Sequence, residues 1–178
     1  MKNAFLALAI SAISLPALAQ QSKNPVMDTI RQIEQRQHKN LVAAAEEMPA
    51  DKYSFHPTPP QMSFGKLMMH IAESNELLCS RLGDTEPPKQ GKEELKETDP
   101  KDKLVSALKN SFDFCSTQLA KVDDSKLGTE VKLWGGRTGP KAAAAISLTN
   151  DWADHYALAA TYLRLNGMLP PTAEKKGE

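Results

Sequence analysis

The sequence predicts an all-α four-helix bundle. Three observations carry that expectation. Four stretches repeat their apolar residues at three- and four-residue spacing, capping signals stand at their starts, and no β-rich block or internal repeat separates them. The first helix opens at Asn24-Pro25, a cap residue followed by proline at the first helical position. Ile30, Ile33, Gln37, Leu41, Ala44 and Met48 trace its inner face, and Pro49 ends it. A polar, proline-rich connector follows, from Asp51 to Pro60. Ser63 caps the second helix, whose stripe is Phe64, Leu67, Met68, Ile71, Leu78 and Leu82 and which stops at Gly83. Residues 83–99 form a charged linker containing Pro87-Pro88. Asp99-Pro100 opens the third helix, expected to run to about Val122, with Leu104, Leu108, Phe112, Cys115 and Leu119 inward. Residues 123–139 read as irregular, with a short extended piece at Val131–Trp134. Pro140 opens the fourth helix, Asn166-Gly167 stops it, and the tail from Pro170 reads as polar and loose.

The linker between helices two and three bears on topology. Helices joined by short loops are antiparallel neighbours, but about seventeen residues suffice to run back along a bundle roughly 30 Å tall. That length favours parallel helices two and three, an up-down-down-up order. The two cysteines agree: Cys79 is sixteen residues past Ser63 and Cys115 fifteen past Pro100. In parallel helices they sit at one height and can bridge; in antiparallel helices they cannot meet. Two buried thiols that merely pack remain the alternative.

Residues 1–19 read as a secretory signal peptide. Lys2 supplies the positive charge, an apolar run extends from Ala4 to Leu18, and Ala17-Leu18-Ala19 is a small-x-small cleavage site. No cysteine follows it directly, so no lipid anchor is expected. Cleavage leaves residues 20–178 as a single domain, periplasmic or secreted, in a compartment that permits a disulfide. The chain carries 22 basic and 22 acidic residues, and loss of Lys2 leaves one excess negative charge. So even a balance argues against nucleic acid or an anionic lipid surface as partner. No later segment reads as a membrane span. A small-molecule substrate and a homodimer are the partners left open.

The chemistry-bearing pattern lies on the fourth helix. At 100° per residue, Ala144, Leu148, Asp151, His155, Leu158 and Tyr162 fall within about 80° of one another. A carboxylate and an imidazole on an otherwise apolar face need a partner. They are four residues apart, so both can reach one ion. His70, about 60° from Leu67 on the second helix, offers a third ligand. Two imidazoles and a carboxylate suit Zn, Ni, Fe or Mn as divalent ions. The competing reading is an Asp151–His155 pair that needs no metal. His38 and His56 read as solvated, Trp152 as packing, and Asp154 as solvent-facing or as a support for His155. No phosphate-binding loop, dinucleotide fingerprint, Gly-x-Ser-x-Gly or Cys-x-x-Cys is present.

Tyr53-Ser-Phe-His-Pro57, Met62 through Ala72 with its central His70, and Asp151 through Leu158 running on to Tyr162–Gly167 give the chain a resemblance. It resembles the DinB/YfiT-like superfamily of candidate metalloenzymes, over essentially the whole chain after the leader. The resemblance implies a four-helix bundle with helices two and three parallel. It implies a divalent-metal site with one histidine on helix two and a His-x3-His pair on helix four. His70 and His155 match two of those positions, and Asp151 stands where the third is usually histidine. Characterised members include low-molecular-weight-thiol transferases and isomerases, in which the ion binds a thiolate or water. The expected function is therefore a metal-dependent transferase or hydrolase, with a non-catalytic metal-binding or interaction protein as the alternative. Catalytic residues beyond the ligands are not legible.

Overall fold

A computed structural model describes residues 22–88 and 95–173. The expected leader, part of the linker and the last five residues lie outside them. The four expected helices are α1 (Pro25–Glu47), α2 (Phe64–Leu82), α3 (Lys101–Leu119) and α4 (Lys141–Leu165). A two-stranded antiparallel sheet, β1 (Glu130–Lys132) and β2 (Thr138–Pro140), precedes α4. The sequence showed it only as a short extended piece. Gly135 and Gly136 turn the chain between the strands at φ 62° and 73°, backbone that a Cβ would strain.

The capping expectations hold at α2, where Ser63 Oγ accepts from Lys66 N at 3.1 Å. They fail at α1. Asn24 makes no side-chain cap, and its carboxamide accepts instead from Asp124 N at 3.2 Å. The Asp124 carboxylate reaches back to Val26 N at 3.0 Å and Met27 N at 2.8 Å. An acidic group from beyond α3 thus satisfies the open amides of α1, where the helix dipole favours it. Arg31 does the converse for the end of α3, donating to the carbonyls of Leu119 and Val122. That helix stops three residues before the expected Val122.

α2 packs on α3 and α4, and α1 packs on α3 and α4. The core between them holds Met27, Leu41, Phe64, Leu67, Met68, Ile71, Leu108, Phe112, Leu148 and Trp152. Four contacts are spaced along α2 and α3. A Cβ on Gly65 would lie 3.3 Å from Leu104, Asn75 bonds Ser111, Cys79 bridges Cys115, and a Cβ on Gly83 would crowd Gln118 at 2.8 Å. Three bonds are spaced along α2 and α4. Tyr162 Oη donates to the Met62 carbonyl at 2.8 Å, Trp152 Nε1 to Asn75 Oδ1 at 2.7 Å, and Lys141 Nζ to the Leu82 carbonyl at 2.8 Å. The start of the tail is less loose than expected: Pro170 is buried, and Thr172 N donates to Tyr156 Oη at 3.1 Å. No helix of the described residues is long and apolar enough to cross a membrane.

Candidate metal centre

The buried face of α4 is rotated from the stripe expected of it. Ala144, Ala145, Leu148, Trp152, Ala159 and Leu163 are among its buried residues, which centres the covered arc near Trp152 and Ala159. Asp151, His155 and Leu158 fall at its edge and are half-buried. His70 lies at the corresponding edge of α2, also half-buried. The two edges face each other. The ring centroids of His70 and His155 are 4.8 Å apart, and ligand atoms of His70, Asp151 and His155 all lie within 4.8 Å of one another.

The donors are pre-set. His155 Nδ1 lies 2.6 Å from the Asp151 backbone oxygen. A carbonyl can only accept, so Nδ1 carries the proton, and in the neutral ring Nε2 keeps its lone pair for a ligand bond. The same Nδ1 is 3.4 Å from Asp151 Oδ2. Burial pulls the His155 pKa down, but the Asp151 carboxylate and carbonyl and the charge of Asp154 outweigh it and leave it raised. Asp151 Oδ2 itself is buried with no hydrogen-bond partner. The Nδ1 proton goes to the carbonyl and leaves this oxygen 3.4 Å away without a hydrogen bond, and a cation shared with His70 and His155 would satisfy it. The residues therefore fit a divalent ion.

Of the other residues singled out above, Trp152 is packing, as expected. Its ring is 5.9 Å from Phe112, and its N–H goes to Asn75. Asp154 is exposed and touches the site only through its charge on His155. His56 is exposed and pairs with the Thr58 carbonyl at 3.1 Å. His38 departs from the solvated expectation. It is half-buried, stacked on Phe112 at 4.8 Å with the planes 6° apart, and lies 3.8 Å from Glu34. The Cys79–Cys115 disulfide is present, with Cα atoms 5.1 Å apart and both residues fully buried.

Among the buried polar residues not singled out from the sequence are Asn75, Glu34 and Lys141. Asn75 was findable by the argument that picks out Asp151. It falls at i+4 from Ile71 and i+7 from Met68, in the middle of the apolar arc of α2. Its amide joins three helices, donating to Ser111 Oγ at 3.0 Å and accepting from Trp152. Lys141 gave no signal, since its partners, the Leu82 carbonyl and Asp84, come from the far end of α2.

The fold and the site define a helical-bundle protein with a His/Asp/His cluster suited to a divalent ion. Residues 32–157, more than half of the chain, match the model of the DinB superfamily, and the chain belongs to that superfamily. Solved structures agree on the fold. A DinB-like protein from Bacillus subtilis is similar with TM-score 0.65 and 19% identity, over 83% of this chain and 99% of that one. A DinB-like protein from Bacillus cereus gives 0.65 and 16% over 81% and 95%. A conserved protein from Enterococcus faecalis gives 0.63 and 18% over 79% and 96%. No curated protein is detectably similar in sequence.

Proposed function

We propose that this is an exported DinB-like protein that holds a divalent metal ion at His70, Asp151 and His155 and uses it as a metal-dependent transferase or hydrolase. The observation that carries the reading is the buried Asp151 Oδ2, which accepts no hydrogen bond, beside two imidazoles. When bound, the ion would supply Lewis acidity to a small-molecule substrate or to water. The chain's own residues do the rest. Asp151 supplies the negative ligand, and its carbonyl orients His155. His70 closes the set from the opposite helix, and Trp152 and Asn75 fix the two helices beside it. The scaffold of the proposal is the up-down-down-up bundle with α2 and α3 parallel. It is supported by four contacts in which residue numbers rise together along both helices. Export rests on the leader pattern of residues 1–19.

The second reading is a non-catalytic bundle that keeps only the scaffold. Its support is the 3.4 Å approach of Asp151 and His155, which offsets the carboxylate charge without an ion. Metal content separates the two. The protein purified without chelator or affinity tag should hold close to one transition-metal equivalent per chain, and His70→Ala should lose it. A metal-free protein that regains none on dialysis against Zn or Mn would sink the proposal.

A further inference from the structure

The face of α4 that carries Asp151 and His155 continues toward its C-terminus as Leu158, Tyr162 and Leu165, which follow His155 by three, seven and ten residues. Tyr162 is buried, and its hydroxyl bond to the Met62 carbonyl sets Met62 beside this stretch. Leu158 is half-buried against the core. Met62 and Leu165 are left 37% and 57% exposed. At about 1.5 Å per residue, the strip from His155 to Leu165 is roughly 15 Å long. Two apolar side chains beyond the ligand cluster thus stand open to solvent, and an apolar partner would take them out of water. The cluster at one end indicates what that is. Asp151 as a ligand offsets one of a divalent ion's two charges, so the open position suits a small, singly anionic headgroup.

Resting on the metal reading above, we propose that the centre takes an amphiphile. Its headgroup ligates the ion, and its unbranched apolar tail lies along Leu158, Met62 and Leu165.

The test uses the zinc-loaded full chain and a series of alkyl hydroxamates from acetohydroxamate to octanohydroxamate, titrated calorimetrically. A fully buried methylene is worth about fourfold in affinity, so on a half-covered strip about twofold is expected per methylene and on the order of 50-fold over the series. Met62→Gln with Leu165→Gln should flatten the series to within about threefold. Val26→Gln with Ile146→Gln, which alters exposed apolar residues elsewhere, should keep the dependence. Affinity independent of chain length would overturn the proposal. So would a dependence that survives the Met62/Leu165 change, or one that persists in His70→Ala. A chain that retains no metal would overturn the reading beneath it; normal metal content with a flat series would overturn the amphiphile alone.

Discussion

Asn75→Ala should be among the most damaging single changes in this chain, although the residue is polar and its side chain small. Asn75 is fully buried and makes two side-chain bonds, to Ser111 on α3 and from Trp152 on α4. Truncation removes both. Ser111 Oγ keeps the Leu108 carbonyl as acceptor at 2.7 Å, so that bond costs only its net worth, about 0.5–1.5 kcal/mol. Trp152 Nε1–H is left buried without a partner, at about 1–3 kcal/mol. With a small cavity added, the loss should be about 2–4 kcal/mol, or roughly 5–15 °C in Tm for a domain of this size. Urea melts of wild type, Asn75→Ala, Trp152→Phe and the double variant measure it. Trp152→Phe keeps a ring beside Phe112 while stranding Asn75 Oδ1. The double-mutant cycle should therefore show a coupling of at least about 1 kcal/mol. A loss under about 0.5 kcal/mol for Asn75→Ala, or additivity in the cycle, would refute the assignment of this amide as the tie between three helices.

Other outcomes follow from the same structure. Reducing the Cys79–Cys115 bridge, 36 residues apart, should lower stability by roughly 3–4 kcal/mol in the chain-entropy model; native protein that titrates with two free thiols would rule the bridge out. Burial raises the Glu34 pKa, Ser116 opposes this and Asp113 adds to it, so the native state prefers the neutral acid. Its contribution is then fullest below the unfolded value and lost as pH rises through the raised one. Glu34→Gln, which keeps an acceptor for Ser116 Oγ, should therefore be increasingly more stable than wild type from pH 4 to pH 7; a constant difference across that range would count against it. A Cβ on Gly65 would sit 2.7 Å from the Glu97 carbonyl oxygen, so Gly65→Ala should cost about 1–3 kcal/mol in chemical denaturation, despite alanine's better helix propensity.

Within each helix the sequence settled which residues share a side. A helix has fixed angular spacing, so Asp151 and His155 share a face whatever surrounds them, and Ser63 caps α2 because the N–H it accepts from lies three residues away. Proline and glycine signals marked the helix ends to within a few residues for the same local reason. The leader reading and the extracytoplasmic location it suggests rest on sequence alone. Everything that joined distant residues was settled by packing. The second helix edge that brings His70 to His155, the Asp124 cap on α1, and the Lys141 bond at the end of α2 each join groups dozens of residues apart. Helix periodicity says which residues share a side, but not how far neighbours cover it. The apolar count centred the face of α4 on Asp151 and His155. Contact with α1 and α2 rotated burial toward Trp152, which left the carboxylate and imidazole at a half-open edge. A polar cluster at the centre of a bundle would be sealed, whereas the same residues at the seam of two helices can meet an ion and a ligand from solvent.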